Sequence, residues 1–224
     1  LHKEYRRQRQ MCIRDRYLAA AGVGRIGLVD DDVVELSNLQ RQVLHTTRAV
    51  GQKKVESAQE QLAALNPEIV VEAWDTRLDA QSARDLVPRY DLVCDGCDNF
   101  ATRYAVNAAC VHAGKVLVSA AVQRFEGQLA TFSPARGGGC YNCLYPQTDE
   151  QESGLSCGDA GVLGAVTGVM GTLQATQALK EILGLGHSGV GELLLWDALR
   201  MKFTTMTLRA DPACPVCGGG GEHG

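Results

Sequence analysis

From Arg25 to Ala120 the apolar residues switch repeatedly between a period of two and a helical period, and few folds accommodate that rhythm. RIGLV at Arg25–Val29 reads as a strand closing on Asp30, Asp31 and Asp32. A helix is expected over Gln52–Leu65, with Val55, Ala58, Leu62 and Leu65 on one face and Asn66-Pro67 as its stop. Then follow a strand at Ile69–Trp74, a helix at Leu78–Val87, a strand at Tyr90–Cys94, a helix at Ala101–His112 and a strand at Val116–Ala120. This βαβα order predicts an α/β, Rossmann-like doubly wound sheet. The 224 residues suffice for one such domain, assigned to residues 17–218.

After Ala121 strands follow one another, at Gly127–Phe132, Glu192–Trp196 and Lys202–Leu208, which predicts an antiparallel extension of the parallel sheet. Between them Ala160–Leu179 carries no charge and is long enough to span a bilayer. Thr167, Thr172, Gln174 and Gln177 interrupt it, and Gly161, Gly164, Gly168 and Gly171 recur at close spacing. A helix buried in a soluble core fits that pattern better than a membrane span. The formal charge of −4 leaves no cationic excess for nucleic acid or anionic membranes. Residues 219–224 are expected to be a flexible tail.

Gly22-Val23-Gly24-Arg25-Ile26-Gly27 has the spacing of a dinucleotide-binding loop. That loop must follow a strand and open a helix, so that backbone N–H groups meet phosphate. Here a helix over Tyr17–Ala21 precedes it and a strand follows, so the glycines end a helix instead. An acid at the end of a second strand, where Asp30 falls, can bond ribose hydroxyls. The first strand and Gly-rich loop of such a sheet are missing upstream. Residues 1–16 are basic and lack an apolar pattern, and Met-Cys-Ile-Arg-Asp-Arg is what one frame of the transposase adapter ATGTGTATAAGAGACAG encodes. We read residues 1–16 as a non-native segment in place of the true N-terminus, the alternative being a natural basic arm.

Cys140-x-x-Cys143 and Cys214-x-x-Cys217 offer four thiolates that can surround Zn²⁺ tetrahedrally and tie the C-terminal region to the domain. An odd total of nine cysteines with two such pairs fits a reduced, cytoplasmic metal protein better than a disulfide framework. A third pair, Cys94 and Cys97, sits at a strand end and reads as buried thiol. Asn38, Arg41 and Gln42, with Lys54 downstream, offer the neutral donors, guanidinium and ammonium that a triphosphate needs, although such a run is equally a solvated polar loop. Asp98 and Asn99 follow a strand at the carboxyl edge of the sheet, where an acid can hold Mg²⁺ or cap a helix.

On DDDVVELSNLQRQ, the lysine of GQKK, CDNFATR, EGQL, CYNCLYP, GVMGTLQA and CPVCG, the chain resembles the ThiF/MoeB/HesA family, bacterial relatives of ubiquitin-activating enzymes, from about Tyr17 to Gly219. The resemblance implies that Asp30 binds ribose, that Asn38, Arg41, Gln42 and Lys54 grip phosphates, that Asp98 handles Mg²⁺ with Asn99 beside it in the cofactor site, and that Cys140, Cys143, Cys214 and Cys217 hold zinc. Cys157, in SGLSCGDAGV, matches a mobile-loop cysteine that some members link covalently to their carrier. Tyr5-Arg6-Arg7-Gln8 matches an N-terminal arm of the family but lies in the segment read as non-native.

The activity so implied is ATP-dependent adenylation of the C-terminal glycine of a ubiquitin-like sulfur carrier protein, of the ThiS type in thiamine synthesis or the MoaD type in molybdopterin synthesis. Arg41, Lys54, Asp98 and Cys157 would be its catalytic residues. A homodimer and a sulfur-donating desulfurase or rhodanese are the expected partners. The rivals are a catalytically impaired zinc scaffold that binds the carrier, and an NAD-dependent oxidoreductase, for which the glycine loop is in the wrong place.

Overall fold

A computed structural model describes residues 11–148 and 162–218. Cys157, Tyr5-Arg6-Arg7-Gln8 and the tail at 219–224 lie outside the described residues. The chain opens with helix α1 (Met11–Ala20) and strand β1 (Arg25–Val29), followed by α2 (Lys54–Leu65), β2 (Val70–Trp74), α3 (Ala80–Leu86), β3 (Leu92–Asp95) and α4 (Phe100–His112). Strands β4 (Val116–Gln123) and β5 (Glu126–Phe132) come next, then a one-turn helix α5 (Tyr141–Leu144), the long helix α6 (Gly164–Leu183), β6 (Glu192–Asp197) and β7 (Lys202–Thr207).

β1 pairs with β2 and β3 with β4 in parallel, while β4 to β7 form successive antiparallel pairs. This is the parallel sheet with an antiparallel extension that the sequence predicts. The strands nevertheless form two sheets, β1-β2 and β3-β4-β5-β6-β7, with no pairing between β1 and β3.

Helices cover both faces. One apolar cluster joins Leu18 and Ala19 of α1, Leu28 of β1, Val55 and Leu62 of α2 and Ala178 of α6. A second packs Val106 and Ala109 of α4 against Leu117 and Phe132. The face of α2 is as expected at Val55, Ala58 and Leu62, but Leu65, the last residue of the helix, is exposed. Gly22, at φ +80°, ends α1 with the Val23 amide bonded to the Leu18 carbonyl, so the Gly-x-Gly-x-x-Gly run is a helix stop followed by a strand.

α6 takes in the uncharged stretch from Gly164 to Leu179 and ends with the charged Lys180 and Glu181 in its last turn. It buries Val166, Met170, Gln174 and Ala178 against the sheet, and Gly171 lets Ile13 of α1 approach closely. None of the described helices is long and apolar enough to cross a membrane. α1 runs through the boundary at residue 16, and Arg14 and Asp15 are buried as an ion pair at 2.7 Å.

Candidate active site

The carboxyl ends of β1 and β3 open into one cavity of about 1380 Å³. Asp30, buried where β1 ends, accepts the Asp32 amide at 2.8 Å, a turn that gathers the Asp30, Asp31 and Asp32 carboxylates within 4.8 Å of one another. Lys54, the first residue of α2, sets its Nζ 3.0 Å from Asp32 Oδ2. Asn38 sits in a tight 3₁₀ turn, its Oδ1 accepting the Glu35 amide at 3.3 Å. Asp30, Asn38, Lys54, Asp98 and Asn99 all line the cavity.

Arg41 and Gln42 are not on its wall. The turn that presents Asn38 closes with the Arg41 and Gln42 amides bonded to the Asn38 carbonyl. It directs Arg41 Nη1 back to the Ser37 carbonyl at 3.0 Å. Gln42 is wholly buried, and its side-chain amide has no hydrogen-bond partner among the described residues.

On the β3 side, helix α4 is capped by Asn99, whose Oδ1 accepts the Thr102 amide at 2.8 Å. The capping role weighed for Asp98 therefore belongs to its neighbour, and Asp98 faces the cavity with its Oδ1 3.4 Å from Asn99 Nδ2. The loop is held from beneath. Asp95, buried, accepts the Cys97 amide at 2.8 Å and the Ser119 hydroxyl at 3.0 Å. Gln174 of α6 donates to the carbonyls of Asp95 and Val118, at 2.7 and 2.9 Å, and Arg103 Nε donates to the Cys97 carbonyl at 2.9 Å. The sequence reading did not single out Asp95, Gln174 or Arg103. Arg103 was within reach as the last residue of the CDNFATR run, whereas Gln174 is identifiable only once α6 lies across the sheet.

His45 is buried with its Nδ1 2.9 Å from Ser57 Oγ. Burial, and then the nearby Lys54 charge, lower its pKa to about 4, so near neutral pH it is an uncharged group.

The four predicted metal cysteines converge. Sγ separations are 3.9 Å for Cys140–Cys143, 3.7 Å for Cys140–Cys214 and 3.4 Å for Cys143–Cys217, and all four sulfurs lie within 4.8 Å of one another. Sulfurs at 2.3 Å from a tetrahedral Zn²⁺ lie about 3.8 Å apart, so the cage fits the ion. Burial opposes ionisation of Cys214, but the Cys217 and Val216 amides, with the Cys140 and Asn142 side chains, bring its pKa down to about 6. The Asp211 amide donates to Cys143 Sγ at 3.4 Å, so backbone donors already face the sulfurs. Cys94 and Cys97 belong to no metal-sized cluster among the described residues, and burial pushes Cys94 up to about 11.

Fold and site together define an α/β protein of the E1-like class, with a ligand cavity at the carboxyl ends of its parallel strands and a separate four-cysteine cage. The chain belongs to the ThiF family, whose pattern matches residues 12–216. It is 49% identical over 207 residues to a sulfur carrier protein adenylyltransferase of Thermus thermophilus, covering 91% of this chain and 76% of that protein. It is 52% identical over 208 residues to the adenylyltransferase and sulfurtransferase MOCS3 of Sus scrofa, covering 92% of this chain but 46% of that longer protein. Among solved structures it superposes on E. coli MccB with a TM-score of 0.82 at 24% identity, over 94% of this chain and 63% of that one, a likeness of fold.

Proposed function

We propose that this chain is an ATP-dependent adenylyltransferase that activates the C-terminal glycine carboxylate of a ubiquitin-like sulfur carrier protein. The observation that carries the reading is the meeting of Asp30, Asn38, Lys54 and Asp98 on one cavity at the carboxyl ends of two parallel strands, where ligands of open α/β sheets bind. The names of relatives about half identical to this chain point the same way.

In this reading a carrier carboxylate oxygen bonds to the α-phosphorus of ATP as the bond to the bridging oxygen breaks, giving an acyl adenylate and pyrophosphate. The nucleophile is already ionised, so no general base is needed. Lys54 neutralises phosphate charge, Asn38 donates to a phosphate oxygen, Asp30 orients the ribose, and Asp98, steadied by the Asn99 side-chain amide, would hold Mg²⁺, whose chemistry is to screen the triphosphate. Arg41 and Gln42 serve this site through the turn that carries Asn38. The cysteine cage holds structural zinc. Cys157 is assigned to covalent sulfur transfer, with sulfur delivered by a separate desulfurase or rhodanese.

The CLYP, NAACV and CPVCG strings lean toward a ThiS-type carrier and GQKKVESA toward a MoaD-type one, and the ThiS type is slightly favoured. A homodimer is part of the same proposal, supported by the exposed apolar side chains of Leu199, Met201, Phe203 and Met206.

ATP–pyrophosphate exchange with each purified carrier tests the assignment. Exchange dependent on a carrier with a terminal glycine supports it. Zinc binding without ATP binding would favour a scaffold, and hydride transfer to NAD an oxidoreductase.

A further inference from the structure

We propose that Arg103 is a positioning residue through which the four-cysteine cage sets the Asp98 loop, so that metal in the cage and the order of that loop are coupled. What the coupling serves rests on the adenylation reading, whereas the coupling itself does not.

The two sites share one helix. Asp98 and the cap residue Asn99 stand at the N-terminus of α4, while Cys140 precedes the one-turn helix α5 and Cys143 lies within it. Arg103, Tyr104 and Asn107 of α4 fall on one helical face, and that face meets α5. Asn107 Oδ1 accepts the Tyr141 amide at 2.8 Å, and the Tyr104 hydroxyl donates to the Tyr145 carbonyl at 3.1 Å. The Tyr104 and Tyr141 rings meet edge-on, with centroids 5.5 Å apart. A single turn does not hold its own shape. The position of α5 is therefore given by α4 on one side and by the cage on the other.

Arg103 carries the link onward to the loop. Its guanidinium lies over the Tyr141 ring, 5.8 Å from the centroid, and its Nε and Nη2 both donate to the Cys97 carbonyl. That carbonyl belongs to the planar peptide unit that enters Asp98. The Cys97 amide is in turn bound to the Asp95 carboxylate at 2.8 Å, so both polar groups of Cys97 are gripped. A rigid fork spending two donors on one carbonyl fixes its direction, and the aromatic face beneath fixes the tilt of the fork. Displacing Tyr141 therefore displaces the peptide that carries Asp98.

Asn107 gives the cage a second hold on the same helix. Its Nδ2 is buried beside Cys140 and makes no close hydrogen bond among the described residues. A metal-bound thiolate is a stronger acceptor than a thiol, so loading the cage gives this donor a partner and draws α4 toward α5. A cage that served only to clip the C-terminal segment would need neither contact.

Hydrogen exchange on the 224-residue protein, zinc-loaded and after zinc removal by a chelator, reads the link without nucleotide. Zinc removal is expected to speed exchange of the Cys97 and Thr102 amides by about tenfold, with less than about a twofold change across Val70–Trp74 of β2. Zinc-loaded Tyr141→Leu and Arg103→Lys should show the same fast loop beside a slow β2. Tyr141→Phe, which keeps the ring beneath the guanidinium, should match the native protein. A loop that ignores zinc removal, a native-like loop in either of the first two variants, or β2 accelerated as much as the loop would overturn the proposal. Should the chain unfold on losing zinc, the zinc-loaded variants decide. The magnesium needed for half-maximal ATP–pyrophosphate exchange should also rise about tenfold in Arg103→Lys, with excess magnesium restoring the rate. A loop that follows zinc in a protein without exchange activity would keep the coupling and remove the adenylation reading.

Discussion

Lys54 is tied twice to Asp32: its Nζ lies 3.0 Å from Asp32 Oδ2, and its backbone amide donates to the Asp32 carbonyl at 3.0 Å. The first turn of α2 is thereby locked to the end of β1, and the ammonium stands at the cavity wall before any ligand arrives. Lys54→Met keeps the stem and removes the charge. ATP–pyrophosphate exchange is expected to fall by about 10²–10³, the usual loss when one preorganised donor to developing charge is deleted. Urea denaturation should show a loss of about 1–2 kcal/mol, since Asp32 is only partly buried and water recovers some of the lost pairing. Exchange at the wild-type rate would remove Lys54 from the site.

The cysteine cage joins residues 74 apart in sequence, which makes it a clip on the C-terminal segment. One zinc per chain is expected by atomic absorption. Cys214→Ser should lower that content and cost on the order of 3 kcal/mol, a melting-temperature drop of about 6–12 °C for a domain of this size. Chelator treatment of the native protein should reproduce the drop, and added zinc should reverse it for the native chain alone.

Most elements were legible because they rest on local patterns. The period-two run at Arg25–Val29, the continuous apolar run within Glu192–Asp197, and the helical spacing of Val55, Ala58 and Leu62 need no distant partner to be recognised. The metal cysteines were legible because two Cys-x-x-Cys turns have few other uses. Arg41 and Gln42 were not, because whether a polar residue near Asn38 faces solvent or core depends on the closing bonds of one turn. Asn99 took the cap in place of Asp98 by a shift of one residue, below the resolution of any sequence pattern.

The depressed pKa of His45 has a sign that can be checked. Its folded value of about 4 lies below its usual 6.5, so between those values the unfolded chain binds more protons and stability is lost as pH falls. By pH 5 the loss from this group is about 2 kcal/mol. Urea midpoints measured at pH 7 and pH 5 should therefore converge in His45→Gln, which can keep a hydrogen bond to Ser57 but cannot take up a proton in that range. An unchanged acid-side slope in the variant would assign the pH dependence elsewhere.

Two glycines of α6, one turn apart, should respond oppositely to the same substitution. A Cβ on Gly164 would lie 2.1 Å from the Gln40 carbonyl oxygen, a backbone atom of the loop that carries Asn38, so the loop must move to admit it. A Cβ on Gly168 would meet only Ile13 Cδ1 at 3.6 Å, an ordinary contact. Gly164→Ala is expected to destabilise by about 1–3 kcal/mol through overpacking. It should also cut exchange activity by about 10²-fold, because a shift near 1 Å in a positioning group has that effect. Gly168→Ala should stabilise by about 0.5–1 kcal/mol, as glycine in a helix interior normally does when replaced, with activity unchanged. Measuring both variants by thermal denaturation and by exchange separates a loop-positioning role for the α6 N-terminus from a general intolerance of that helix to side chains. Equal damage from the two substitutions would rule out the specific contact with Gln40 as the cause.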